Sequence, residues 1–189
     1  LNKTIGGTSS LGIAGIGIRR TFQTVHLFPG LTVAENVELG RFRHVVRKQP
    51  WATLAPTWLG DRDGSTDIHR ILDCLGLANQ VDAIATELSY GTQRKVEIAR
   101  ALAGAPRLIL LDEPAAGMNE AETEELQHQI KAIRDEGITV LLIEHDMHLV
   151  MTVSDKVVVM DFGRKIAEGT PSEVQADPAV IASYLGTSS

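Results

Sequence analysis

An uncharged run of four residues, Leu108 to Leu111, ends in Asp112, Glu113 and Pro114. Every position of the run is apolar, which is typical of a strand buried on both faces of a parallel sheet. A second apolar run, ITVLLI, is followed by the polar sequence EHD at positions 144–146. Parallel sheets bind ligands beyond the carboxyl ends of their strands, so both polar groups are predicted to lie at one binding edge.

Helical patterns alternate with these strands. The segment LSYGTQRKVEIARALAGAP has Ser89 as its N-cap, and NEAETEELQHQIKAIRDEG is a charged amphipathic helix. Capping boxes are predicted at Thr32 and Thr170, and DKVVVMDFGRKIAEG reads as a hairpin. Glycines 12, 15 and 17 are interpreted as turns. The alternation predicts an α/β fold with a mostly parallel sheet and helices on both faces.

Composition narrows the class of protein. The 189 residues are 43% hydrophobic and 22% charged, which fits one globular domain. The net charge of −6 argues weakly against a general nucleic-acid binder. Cys74 is the single cysteine, so no disulfide forms within the chain. No apolar stretch approaches the roughly 18 residues of a membrane-spanning helix, so a cytosolic location is expected, with any membrane role exercised through a partner.

Each polar group has a functional and a structural interpretation. Of Asp112 and Glu113, one carboxylate could bind Mg²⁺ and the other could orient an attacking water. The alternative is that both are solvated acids at the end of a strand. His145 could donate a hydrogen bond to a phosphoryl group, or be an exposed histidine. The helix start at Ser89 and Gly91 suits an anion, or is an ordinary cap.

The order of four segments along the chain favours the functional interpretations. The segments are LSYGTQ, LILLDEP, AAGMN and LLIEHD. Together they resemble the nucleotide-binding subunit of ATP-binding-cassette (ABC) transporters. RTFQTVHLFPGLTVAENV, IEHDMHLVMTVSDKVVVMDFGRKIAEGTP and the terminal VIASYLG look most like the ATPase subunits of branched-chain amino-acid importers. The resemblance runs from about Gly15 onward. It implies a P-loop NTPase-like (RecA-like) core at 1–23 and 107–189, with an inserted helical subdomain at 24–106.

The resemblance also implies roles for individual residues, with ATP as the nucleotide. Glu113 is the catalytic base and His145 the switch histidine. Asp112 is the Walker B ligand of Mg²⁺. Gln23 is the Q-loop glutamine, which lies near Mg²⁺ and water. The signature motif contributes Ser89, Gly91 and Gln93. Asn119 is the D-loop residue, at a position that is commonly Asp in the family. The insert with Trp51 and Trp58, and the basic cluster Arg41, Arg43, Arg47 and Lys48, fall in the helical subdomain.

One expected motif is absent from the sequence. The family's phosphate loop, G-x-x-x-x-G-K-[ST], should precede Gln23, yet no Gly-Lys pair occurs anywhere in the 189 residues. The loop supplies the backbone cradle, the phosphate-binding lysine and a Mg²⁺-binding hydroxyl. The chain is therefore expected to lack the N-terminal strands and phosphate loop of the fold, and to be inactive alone.

The sequence favours one function over two alternatives. The chain is expected to be the ATPase subunit of an importer, peripheral on the cytoplasmic face of the membrane. Its expected partners are a second ATPase subunit and integral membrane permease subunits, with no nucleic acid. A non-catalytic ABC-like module that donates its signature motif to an intact partner is the first alternative. An ABC ATPase of DNA repair or translation is the second, and the acidic balance disfavours it.

Overall fold

The computed structural model describes residues 6–41 and 68–185. Three strands form a parallel sheet in the order β1 (Ile18–Arg20), β2 (Leu108–Asp112) and β3 (Thr139–Ile143). The apolar run at 108–111 is thus the central strand. Asp112 lies opposite Ile143 in the register, so β2 and β3 end together.

Helices and one hairpin complete the described part of the chain. Residues 157–161 (β4) and 164–169 (β5) form the predicted antiparallel hairpin around Phe162 and Gly163, both with positive φ. The α-helices, in chain order from α1 to α8, are Ser10–Gly15, Val33–Glu38, Ile68–Cys74, Tyr90–Ala103, Glu120–Asp135, Met147–Val153, Pro171–Gln175 and Pro178–Leu185. Short 3₁₀ turns lie at Leu39–Arg41, Ala78–Gln80 and Ala85–Glu87.

One hydrophobic cluster joins the sheet to the helices. Ile109 and Leu111 of β2 are fully buried against residues from α2 to α6, including Val37 of α2 and Leu126 of α5. The segment between β1 and β2 thus shares its core with the sheet. The division into a core at 1–23 and 107–189 and a helical subdomain at 24–106 stays a prediction.

The second face of the sheet is open in the described residues. Leu141 and Ile143 of β3 are 49% and 48% exposed, on the face opposite Val140 and Leu142. A groove of about 780 Å³ runs between β3 and β4. The parallel α/β fold is confirmed, whereas the helices that pack on Ile109 and Leu111 lie on one face of the sheet.

The glycine-rich start differs from its prediction. Gly12 and Gly15 lie inside α1, which Ser9 caps by accepting a hydrogen bond from the Gly12 N–H. The turn interpretation was wrong for these two glycines because the Ser9 cap satisfies an N–H group at the start of a helical turn. Gly17 does form a turn, with φ +85°.

The other caps follow the sequence closely. Thr32 and Thr170 each form the predicted capping box, and Ser89 caps α4. None of the helices in 6–41 and 68–185 is both long and apolar enough to cross a bilayer. The predicted insert with Trp51 and Trp58, and Arg43, Arg47 and Lys48 of the basic cluster, lie outside the described residues.

The hairpin carries a charge cluster with a testable pH response. Lys156, and Lys165 with its Nζ 2.6 Å from Oε2, hold the pKa of Glu168 at about 2, below its usual 4.5. A depressed carboxyl pKa stabilises the fold above pH 4.5, and this contribution disappears as pH falls through about 2. Lys156→Met is expected to raise the Glu168 pKa toward 4.5, measured by NMR titration of the carboxyl group. An unchanged midpoint would contradict the assignment.

Candidate functional site

The acidic pair lies at the carboxyl end of the central strand. Asp112 is the last residue of β2, and the Glu113 N–H donates to the Ile143 carbonyl at 2.9 Å. Glu113 adopts a left-handed backbone with φ +45°, a conformation that residues other than glycine rarely take. Such conformations cost on the order of 1–3 kcal/mol and concentrate at functional sites. The surrounding contacts therefore hold Glu113 in a fixed, unfavourable backbone geometry.

The two carboxylates have different hydrogen-bond partners. Arg20, at the end of β1, donates to Asp112 Oδ2 at 2.7 Å. Gln23, three residues further along, donates from Nε2 to Glu113 Oε2 at 2.8 Å. The structure thus brings Gln23 to Glu113 across 90 residues of sequence.

His145 completes what we call the polar edge, which consists of Asp112, Glu113 and His145. Its Nδ1 lies 3.9 Å from Glu113 Oε1, beyond hydrogen-bond distance but close enough for an ion pair when the ring is protonated. The side chain is 78% exposed. The imidazole therefore stands beside the carboxylate and is accessible to a ligand.

Glu144 binds main-chain N–H groups beside the polar edge, which the sequence did not predict. Its side chain is 1% exposed. One carboxylate oxygen accepts from the Ala115 N–H at 2.9 Å, and the other accepts from the His145 N–H at 3.1 Å. Glu144 thus joins the turn after Glu113 to the residue that carries the imidazole.

The signature residues contact their own chain. Ser89 Oγ accepts from the Thr92 N–H and lies 2.9 Å from Thr92 Oγ1. Gly91 is buried, and a Cβ there would lie 2.8 Å from Glu122 Oε1. Gln93 donates to the carbonyls of Thr86 and Leu88. The exposed hydroxyl cap of α4 suits an anion. Gly91 and Gln93 contact neighbouring residues at this helix start. The expected contact of the signature residues with phosphate stays a prediction.

Asn119 links the signature segment to the polar edge. It caps α5, accepting from the Glu122 N–H at 3.0 Å while the Glu122 carboxylate accepts from the Asn119 N–H. This capping box was not predicted, although Asn followed three residues later by Glu is a known sequence signature of a helix start. The same Glu122 packs on Gly91, and the Tyr90 ring lies 3.4 Å from the position of a Cβ on Gly117. The start of α4 therefore packs on the turn that follows Glu113.

A buried charged pair on α4 also went unpredicted. The side chains of Arg94 and Glu97 are 1% and 3% exposed, and Arg94 Nη1 lies 3.4 Å from Glu97 Oε2. Burial raises the pKa of Glu97, and the charges of Arg100 and Arg94 oppose this shift. The i, i+3 spacing of Arg94 and Glu97 in the sequence indicates that the two side chains can pair, but it does not indicate that they are buried.

Oxygen atoms of Asp112 and Gln23 suit Mg²⁺. Asp112 offers a carboxylate, and Gln23 offers its amide oxygen because its Nε2 is engaged by Glu113. Mg²⁺ typically takes one or two protein oxygens together with phosphate and water oxygens. No cluster of three or more His, Cys, Asp or Glu side chains suited to a metal occurs within 6–41 and 68–185. The donor set therefore fits a Mg²⁺ ion that is also bound by phosphate.

Comparisons with known proteins show which sequences and folds the chain is similar to. The family described as "ABC transporter" matches residues 7–116, and "Branched-chain amino acid ATP-binding cassette transporter" matches 164–188. The chain is 42% identical over 178 residues to the high-affinity branched-chain amino acid transport ATP-binding protein BraF of Pseudomonas aeruginosa, with 92% of the chain and 69% of the relative covered. LivG of Salmonella typhimurium, which carries the same description, is 41% identical with the same coverage.

A solved ATP-binding cassette of an ABC transporter has the same fold. It superimposes with a TM-score of 0.76 at 31% identity, and the match covers 97% of this chain and 74% of the other. The similarity therefore extends over sequence and backbone alike.

Proposed function

The chain belongs to the ABC transporter family, whose members are ATPases, and on this premise we propose that it is the ATP-binding subunit of an importer for branched-chain amino acids. The contact between Gln23 and Glu113, with His145 beside it at the end of two parallel strands, is the observation that carries the proposal. The names of the 42% and 41% identical relatives supply the transported class.

Glu113 is the residue that we propose orients the attacking water. Gln23 engages Oε2, so Oε1 remains to accept a hydrogen bond from water. A positioned general base of this kind contributes roughly 10²–10⁴-fold to a rate. The fixed backbone of Glu113 keeps its carboxylate in place throughout the reaction.

His145 and Asp112 take complementary roles. The exposed imidazole donates one hydrogen bond to the transferring phosphoryl group and stabilises the charge that develops there. Asp112 and Gln23 would hold Mg²⁺, which neutralises phosphate charge when bound. Arg20 donates to Oδ2 of Asp112 only, which leaves Oδ1 for Mg²⁺ or for a water bound to it.

The signature residues Ser89, Gly91 and Gln93, with Asn119, are proposed to face the ATP of a second ATPase subunit. The Ser89 hydroxyl and the first N–H groups of α4 are the anion-binding groups. Integral membrane permease subunits are the proposed further partners, which would place the chain on the cytoplasmic face of the membrane. The proposal includes no nucleic-acid partner.

The exposed hydroxyl cap at Ser89 supports a second candidate function. In this role the chain donates its signature residues to an intact subunit that holds the nucleotide. Adding the chain to an intact homologous subunit is expected to change that subunit's ATPase rate, and an unchanged rate would reject this alternative.

Calorimetric titration of Mg-ATP tests whether these 189 residues hold a nucleotide by themselves. We expect no binding heat from them alone, because they include no Gly-Lys pair of a phosphate loop. Glu113→Gln serves as the control that removes any heat of hydrolysis. Tight binding to both proteins would mean that other main-chain groups replace the loop.

The importer assignment is tested by co-purification. When the chain is expressed with the permease subunits of a branched-chain amino-acid importer, it is expected to elute with them from detergent. Elution of the chain alone, under conditions in which an intact homologous subunit elutes with the permease, would contradict the assignment.

A further inference from the structure

Arg94 and Glu97 form the most deeply buried charged pair described above, and the proposed hydrolysis does not use either side chain. They lie in the second and third turns of α4, away from the Ser89 hydroxyl that faces the proposed ligand. Buried charges need partners, so the contacts of the pair indicate what it holds in place.

Arg94 binds main-chain oxygens of the glutamine loop, which we define as residues 21–26. Its Nη1 donates to the Phe22 carbonyl, and its Nη2 donates to the Gln23 carbonyl. A guanidinium is planar and presents its donors in a rigid fork, so it fixes two acceptors in a defined orientation. Arg94 therefore sets the position of the peptide units on either side of the Gln23 Cα.

Glu97 keeps this fork in place. Its Oε2 lies 3.4 Å from Arg94 Nη1, and Arg100 Nη2 lies 3.8 Å from its Oε1. The main-chain N–H groups of His26 and Phe22 also favour its charged form. The pair thus contacts both the carbonyl and the amide side of the glutamine loop.

Gln23 connects Arg94 to the polar edge. The Gln23 side chain donates to Glu113 at 2.8 Å, while its carbonyl is held by Arg94. At the other end, the Arg94 guanidinium lies 5.4 Å from the centre of the Tyr90 ring, between Ser89 and Gly91. One buried side chain thus lies between the signature segment and the contact of Gln23 with Glu113.

We propose that Arg94 is a positioning residue that places the Gln23 side chain on Glu113, so that a displacement of α4 moves Gln23 away from the carboxylate. The catalytic consequence rests on the proposed function, whereas the placement itself rests on the contacts of Gln23 with Glu113 and Arg94. The signature segment and the glutamine loop then move as one unit.

The side-chain amide resonances of Gln23 report this placement directly in nucleotide-free protein. Gln23→Ala assigns the signals by removing them, and Glu113→Ala gives their position without the acceptor. Arg94→Lys retains the charge but replaces the fork by a single ammonium group. We expect Arg94→Lys to move the Gln23 signals more than half of the way toward their position in Glu113→Ala, and Arg94→Met to move them further.

Lys95→Met is the matched control. Lys95 is the neighbouring residue of α4, is largely buried, and pairs with Glu125 of α5 at 2.6 Å instead of the glutamine loop. It is expected to leave the Gln23 signals in place. Should Arg94→Met fail to fold, Arg94→Lys alone decides the result.

Two outcomes would overturn the proposal. Gln23 signals that stay in place in Arg94→Lys would show that the fork does not position the side chain. An equal movement in Lys95→Met would show a general response of α4. In an assembly that hydrolyses ATP, Arg94→Lys should lower kcat at unchanged KM, and a failure of the chain to bind ATP leaves the resonance result intact.

Discussion

The Arg94→Met variant is expected to unfold with a free energy about 3–5 kcal/mol below that of the unaltered chain. Removing one partner of a buried ion pair leaves the other charge without compensation, and the Glu97 side chain is 3% exposed. Arg100, 3.8 Å from the Glu97 carboxylate, offsets part of the loss and places the effect at the lower end of this range. Chemical denaturation of both proteins at one pH measures the difference.

The charge pairing itself is expected to add little beyond a well-packed apolar pair. Arg94 Nε and Glu97 Oε1 are buried without a hydrogen-bond partner in the described structure. Replacing both residues removes the uncompensated charge but leaves the Phe22 and Gln23 carbonyls without their donor, so Arg94→Met with Glu97→Leu should recover only part of the stability lost in Arg94→Met. A double variant that loses the sum of two large single effects would show that each residue acts alone.

The Glu113→Gln variant is expected to hydrolyse ATP about 10²–10⁴-fold more slowly in an assembly that includes the chain, because an amide cannot accept the proton of the attacking water. Nucleotide binding to that assembly should be unchanged, since the substitution keeps the size and the hydrogen-bonding capacity of the side chain. Steady-state hydrolysis and nucleotide affinity, measured on the same preparation, separate the two effects.

Glu120→Gln is the matched control for this experiment. Glu120 is an exposed acid in the first turn of α5 and undergoes the same chemical change. Its rate should equal that of the unaltered assembly. Equal rates for Glu113→Gln and the unaltered assembly would remove Glu113 from the reaction.

Strands β2 to β5 and the helices with predicted caps followed from local sequence rules. The apolar run before Asp112 and the side-chain caps at Thr32, Ser89 and Thr170 depend on neighbours within four residues, so the sequence shows them directly. The turn prediction for Gly12 was wrong because a helix of six residues shows too little hydrophobic periodicity in the sequence to outweigh the turn preference of glycine.

The site was only partly predictable, because its contacts join distant residues. The resemblance placed Gln23 near Mg²⁺ and water, but only the fold shows its contact with Glu113, from which 90 residues separate it. Arg94 lies 71 residues from the Gln23 carbonyl that it binds, and no local pattern indicates a charge buried by such a contact. Glu144 was placed at the correct edge, but only the fold shows that it binds two main-chain N–H groups.

The recognition of main-chain oxygens by Arg94 bears on how this protein can diverge. Every residue type presents the same carbonyl, so the anchor does not depend on which side chains occupy the glutamine loop. Phe22, which is about half exposed, can change during evolution to suit a different surface while the loop keeps its place. Selection for new partners and selection for hydrolysis thus act on separate atoms of the same residues.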